Sequence, residues 1–382
     1  MQTLFNFKDK DYPFSIKNKI QGKLYSKPED FVVIELDGSD DNTGSEYIEY
    51  TLDKKNISTF DAVTDIAKRL NIDSKLIKYS GLKDTYAITS QKITLPKQHM
   101  IDCIKAKNYT IKDPKYVKSE RRIGGLWGNS FQIAVRDIKN ISEAKDVMVN
   151  FKRMISTSIP NYYGHQRFGV RQNGHRIGLE LLKRNYERAT KIFLTETGNE
   201  NRSVTDARLK ILKHWGDWRK CQKFICKHDT MVNELIVIRH LIEKPQDFAN
   251  AMRLNPLCSI FIQSYSSYVY NIVLKEVVKK DFKIKQIPLL GYKIKKFHPL
   301  ISDMYRKILI EDKITSDMYY NEKYPEFSYE GREKDAFYIV EKPDYIIQKN
   351  TMILKFSLPK GTYANLFLEL FISNTNHKKK LN

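Results

Sequence analysis

Cysteine is scarce in this chain, with four in 382 residues: Cys103, Cys221, Cys226 and Cys258. Their spacing matches no common zinc pattern, although Cys221, Cys226 and His228 stand close together. No metal centre is expected, and the four read as reduced structural thiols of an intracellular protein. Long apolar runs are missing too, which argues against a membrane-spanning helix. Residues 1–8 carry no apolar stretch of the kind a secretory signal needs. The expectation is a soluble, cytoplasmic protein. No glycine-rich loop follows a strand to cradle a nucleotide, which counts against an RNA methyltransferase. There is no internal repeat and no long low-complexity tract.

Acidic residues are also in deficit. Lys and Arg number 66 against 45 Asp and Glu, a formal charge of +21. An excess of this size suits a polyanion, RNA or DNA first, although a generally lysine-rich proteome would produce the same number. Hydrophobic residues make up 41% of the chain. That is enough for sizeable cores, and the length suggests two domains.

The first third reads as mixed strand and helix. A turn at Pro28-Glu29-Asp30 leads into a strand from Phe31, and residues 47–52 alternate as a second strand. Ser58 and Asp61 open a helix as a capping box, with Phe60, Val63, Ala67 and Leu70 as its apolar face. Strands follow over 87–95 and 131–135, then a helix over 142–155. In the middle the texture changes: Leu179, Leu182, Tyr186, Ala189 and Phe193 recur at helical spacing, as do Leu235, Ile238 and Leu241, and later Tyr265 and Ile272. The end returns to short strands (336–340 and 352–356) and a helix after Gly361, so the middle reads as an insertion into the first domain. The boundaries expected are 1–160, 161–325 and 326–382. The tail His377-Lys378-Lys379-Lys380 reads as a frayed, solvated end.

Gly81-Leu82-Lys83-Asp84 places a carboxylate at a glycine-led corner, beside a cation and just before a strand. Such a carboxylate can act as nucleophile or general base. Taken alone, the string reads more readily as a structural turn. Its flanking blocks change the weighting. Pro28 to Glu35, Ser80 to Asp84 with Ala87, Thr89 and Gln91, and Gly128-Asn129-Ser130-Phe131 with Val135-Arg136-Asp137 are three of them. Asn161-Tyr162-Tyr163-Gly164-His165-Gln166-Arg167-Phe168-Gly169, Gln263 to Asn271, and Leu358-Pro359-Lys360-Gly361-Thr362-Tyr363-Ala364 complete the series. In this order, over residues 28–371, they resemble the TruD family of tRNA pseudouridine synthases.

The resemblance implies an α+β fold: a pseudouridine synthase catalytic domain with a mixed, mainly antiparallel sheet, and an inserted, mostly helical TRUD domain. It implies isomerisation of a specific uridine of tRNA, at D-arm position thirteen, with no cofactor and no metal. Asp84 matches the family's catalytic aspartate, which attacks the ribose or takes a proton from it before the glycosidic bond breaks. Phe31, Asn129 and Tyr363 match positions that contact the target nucleotide. Phe131 reads as a stacking ring or a core residue, and Phe31, on an alternating strand, is open to the same two readings. Lys83 could keep Asp84 ionised, meet a phosphate or point to solvent. Arg167 is read as a hinge between domains, with orientation of Asp84 or RNA contact as alternatives. Three departures stand out. Tyr25 occupies a place where bacterial relatives carry a basic residue, Thr85 and Tyr86 replace a basic residue and a histidine, and Tyr363 replaces a phenylalanine of some relatives. The lysines at 275, 279, 280, 283, 285, 293, 295 and 296, with Tyr292 and Phe297, read as a tRNA-facing patch or a solvated face. The partner implied is tRNA, the oligomeric state expected is a monomer, and the branch the composition resembles is archaeal. The competing reading is a non-catalytic tRNA-binding or folding chaperone that retains the architecture.

Overall fold

The computed structural model describes residues 18–38, 42–294 and 297–375. The readings made of residues 1–8, Lys295, Lys296 and the basic tail lie outside them. The described chain forms two compact units, one of residues 160–337 and the other of 18–159 with 338–375.

The discontinuous unit is built on a nine-stranded mixed sheet. Its strands are β1 (Phe31–Leu36), β2 (Thr43–Lys55), β3 (Lys78–Tyr79), β4 (Ile88–Pro96), β5 (Ile104–Lys105), β6 (Tyr109–Val117), β7 (Gly128–Val135), β8 (Glu341–Gln348) and β9 (Thr351–Pro359). They lie in the order β8-β9-β7-β1-β4-β2-β6-β5, with β3 also paired to β4. Every pairing is antiparallel except β1 with β4. Two short outer strands, Ile20–Gly22 and Ile372–Asn374, pair in parallel and bring the unit's two chain segments together.

Register decides which side chains share a face, because side chains alternate along a strand. Glu35 sits opposite Asn129, Val33 opposite Phe131, and Phe31 opposite Ile133. Val33 also pairs with Thr89, and Thr89 with Lys54. One face therefore carries Phe31, Val33, Glu35, Lys54, Thr89, Gln91, Asn129 and Phe131. Toward β2 and β6 that face is apolar and is covered by α1 (Thr59–Leu70). Ile48, Tyr50, Leu52, Ile93 and Ile111 pack there with Ala62, Val63, Ile66 and Ala67. Toward β9 it is aromatic: Phe131 stacks on Phe356 at 5.3 Å, and Phe356 meets Phe367 of the last helix, Ala364–Glu369. Each such fully buried apolar side chain contributes roughly 1.5–3 kcal/mol.

Ser58 caps α1 as its sequence indicates, accepting a hydrogen bond from the Asp61 N–H at 3.0 Å. The apolar face is rotated from the one read in sequence. Thr59, Ala62, Val63, Ile66 and Ala67 are buried, whereas Phe60 points outward with 65% of its surface exposed. Glycine is needed at Gly128, where a Cβ would lie 2.1 Å from the Leu358 carbonyl oxygen of β9.

The other unit is mostly helical, from Gly174–Leu182 to Pro299–Glu311, around the long helix Cys258–Lys279. The run read as one helical pattern through Phe193 is two helices, because the chain turns at Arg184 with a φ of 60°. Gln286–Leu289 pairs antiparallel with Arg332–Asp335, so the chain stays in this unit about ten residues beyond 325. Among the described residues, no helix is long and apolar enough to cross a membrane.

Candidate active site

Between its two apolar ends the covered sheet face turns polar, with Glu35, Lys54, Thr89, Gln91 and Asn129 running across four strands. A polar band inside a covered face is costly unless its groups are satisfied. Here several are not. Glu35 Oε1, Ser80 Oγ, Thr89 Oγ1 and Asn129 Oδ1 are buried without a hydrogen-bond partner, half of the eight such atoms among the described residues. Orphaned buried groups concentrated in one place are a mark of a ligand site.

Residues Ser80 to Tyr86 cross this band as the loop between β3 and β4. Gly81 does not shape the corner: its φ is not left-handed, and an added Cβ would meet nothing within 4 Å. Side chains hold the loop instead. Gln91 Nε2 donates to the Gly81 carbonyl at 3.1 Å, and Thr59 Oγ1 accepts from the Lys83 N–H at 3.1 Å while donating to Gln91 Oε1 at 2.9 Å. From the opposite side, Gly124 N–H donates to the Ser80 carbonyl at 2.8 Å.

Lys54 is the residue sequence reasoning missed. Its Nζ is buried and donates to three main-chain carbonyls: Asp84 at 2.8 Å, Ile57 at 2.9 Å and Lys83 at 3.4 Å. Those bonds use all three ammonium protons. Burial pulls its pKa down to about 8, against the upward influence of the Asp84 charge. In Asp53-Lys54-Lys55 it looks like one of many surface lysines; its pairing opposite Thr89 is the signal that separates it.

Lys83 resolves the three ways it could point. Its Nζ donates to Glu35 Oε2 at 2.6 Å, and both side chains are almost fully buried. It faces neither solvent nor an open phosphate position, and its charge still bears on Asp84 from the adjacent residue. Breaking a buried pair leaves an uncompensated charge, at a cost of about 3–5 kcal/mol. Glu35→Gln and Lys83→Met should each lower stability on that scale in urea titrations. The double variant should recover much of the loss; strict additivity would mean that the two charges do not depend on each other.

Asp84 itself is exposed to solvent, with protein atoms of its own loop and of Lys54 close around the carboxyl. Burial pushes its carboxyl above the ordinary carboxylate range, opposed by its own backbone N–H and then by Lys54 and Lys83. The Tyr25 phenol, held up mainly by burial, feels the Asp84 charge and donates to Asn365 Oδ1. Tyr25 adopts a φ of 56°, a left-handed conformation that a tyrosine rarely takes. Its ring begins a run, Tyr25–Phe31 at 5.0 Å and Phe31–Phe131 at 6.0 Å, that continues to Phe356. Phe31 and Phe131 are thus buried against one another, whereas Tyr363, at the N-terminal end of the last helix, is half-buried.

One ion pair joins the motif blocks carried by the adjacent central strands β1 and β7. Asp30, fully buried, accepts from Arg136 Nε at 2.8 Å and Nη2 at 2.7 Å. Arg167 serves the helical unit: Nε donates to Ser267 Oγ and Nη2 to Gln263 Oε1, each at 3.0 Å, with the guanidinium over the Tyr163 ring. In the lysine-rich stretch, Lys283 pairs with Asp281 and Lys293 with Glu330. Among the described residues, no three His, Cys, Asp or Glu side chains group as metal ligands would.

This mixed sheet with a helical insertion is the architecture of a pseudouridine synthase. A solved structure, the putative tRNA pseudouridine synthase D (TruD) from Methanosarcina mazei, shares the fold with a TM-score of 0.71 at 24% identity, over 94% of this chain and 95% of that one. The family model for tRNA pseudouridine synthase D (TruD) matches residues 10–288 and 284–370, and the chain belongs to that family. Similar curated proteins include the probable tRNA pseudouridine synthase D of Nanoarchaeum equitans, 32% identical over 91% of this chain and 99% of its own. The probable tRNA pseudouridine synthase D 1 of Methanococcus maripaludis is 34% identical over 68% and 67%. The tRNA pseudouridine synthase D of Aquifex aeolicus is 28% identical over 92% and 98%.

Proposed function

We propose that this chain converts a uridine of tRNA, at D-arm position thirteen, to pseudouridine, with Asp84 as the reacting carboxylate and no cofactor. The observation that carries the reading is the set of unsatisfied buried polar atoms around the Asp84 loop. Asn129 Oδ1, an acceptor without a donor, suits the N3–H of uracil. The target base must leave its stack for the ribose to reach Asp84, at a cost of a few kcal/mol. The Tyr363 ring at the rim offsets part of that cost, and Phe31 and Phe131 supply an apolar floor. Asp84, held by Lys54 through its own carbonyl, attacks the ribose or removes a proton from it. The N1–C1′ bond breaks as Asp84 bonds to C1′ or as the ribose proton leaves, the uracil turns, and C5 bonds to C1′ while the Asp84–C1′ bond breaks or Asp84 returns the proton to the ribose. C5 loses its hydrogen as a proton and N1 ends protonated, so no electrons or energy carrier are consumed.

The test uses tRNA labelled at C5 of uridine. The wild-type chain should release the label in proportion to product, and sequencing should place the product at position thirteen. Tight binding of tRNA with no release would favour the chaperone reading. Release with product elsewhere would correct the position alone.

A further inference from the structure

Beside the Asp84 loop, and outside the site just described, lies a groove of about 450 Å³ between the start of α1, the segment 74–79 and the segment 120–123. Its lining brings apolar and cationic side chains together. Phe60 and Ile123 stand 65% and 78% exposed. Around them Lys75, Lys78 and Arg122 also line the groove. Among the described residues these three cations make no ion pair, and the one carboxylate of the lining is Glu120. The fourth cation of the lining, Arg121, is spent on Asp37 and Glu49. Two hydrogen bonds tie the groove's walls to the loop: Gly124, next to Ile123, donates to Ser80, and Thr59, next to Phe60, accepts from Lys83. Leu82, 70% exposed, continues the apolar surface along the loop itself.

Unpaired cations surrounding an exposed ring and an aliphatic side chain suit a flexible nucleic-acid strand: phosphates meet the charges and a base packs on the apolar faces. A protein partner would leave three buried charges needing carboxylates, and two apolar side chains are too few to hold a membrane. We propose that this groove receives the RNA strand flanking the target nucleotide, with an unstacked neighbouring base against Phe60 and Ile123 and its phosphates on Lys75, Lys78 and Arg122. The inference rests on the uridine reading and extends it: the groove holds the strand while the target base is out of its stack.

The experiment measures tRNA affinity by titration at several salt concentrations, and turnover separately, for the full chain and two variants. Phe60→Ala should weaken binding roughly ten-fold, the scale of one lost stacking partner, and raise KM while kcat stays within about two-fold. Lys75→Gln/Lys78→Gln/Arg122→Gln should flatten the log Kd against log salt slope by roughly 2–3. Both should melt near the wild-type temperature, since the altered side chains are at the surface. Unchanged affinity and an unchanged salt slope in variants that fold would overturn the proposal. Wild-type chain that binds tRNA in this way but releases no C5 label would instead sink the uridine reading, because the binding measurements do not depend on turnover.

Discussion

Asp84→Asn is expected to eliminate product, by roughly 10⁴-fold or more in kcat, the scale on which an essential reacting group registers. Affinity for tRNA should change little. The amide keeps the shape of the carboxyl and removes only its charge and basicity. A second consequence follows from the crowding of Asp84, which holds its carboxyl above the ordinary range. A carboxyl raised in the folded state binds its proton more tightly there than in the unfolded chain, so stability falls as pH rises through that interval. The variant should therefore melt higher than wild type at neutral pH, and the advantage should fade below about pH 4, near the unfolded value. The wild-type rate should have an acid limb above the ordinary aspartate value. Comparable turnover by Asp84→Asn would remove Asp84 from the chemistry.

Lys54→Met should cost about 10²-fold in kcat, the penalty for letting a reacting group drift by about 1 Å. Three carbonyls lose their donor, and Asp84 loses the cation beneath it. Loss of fold alone would mimic this, so the diagnostic is the pH profile. Lys54 titrates near 8. With the protonated form required, the wild-type rate should decline above about pH 8, and the residual rate of Lys54→Met should show no such decline. Lys54→Arg, which stays charged, should move the decline out of reach while restoring only part of kcat, since a planar guanidinium cannot reproduce the three bonds. An alkaline limb that survives in Lys54→Met would assign it to another group.

The legible parts of the fold were those written in local pattern: the Ser58 cap, the alternation of β1 and β7, the helical texture of 160–337. What was not legible depended on pairing between distant strands. Lys54 reads as an ordinary polar residue of a half-exposed strand, and Glu35 and Gln91 stand out only as members of motif blocks, until register puts all three on one covered face. Phe60 was misassigned to the core because the pattern Phe60, Val63, Ala67 and Leu70 fits a helical face as well as the true one, which Ile66 completes. Gly81 looked like the maker of the corner, yet the corner is made by Thr59 and Lys54, which the motif does not contain, together with Gln91, which it does. The carboxylate itself was visible only through the company its motif keeps along the chain. Its environment, crowded and raised in pKa, is a property of the folded loop.

Strand β9, which flanks Asn129, and the outer strand Ile372–Asn374, which closes on Ile20–Gly22, both come from the last tenth of the chain. During synthesis the helical unit, being contiguous, is whole while its host still lacks an interior strand. A polypeptide that has not yet reached residues 351–374 therefore lacks the strand that lies beside Asn129, and this unit closes only once those residues have been made.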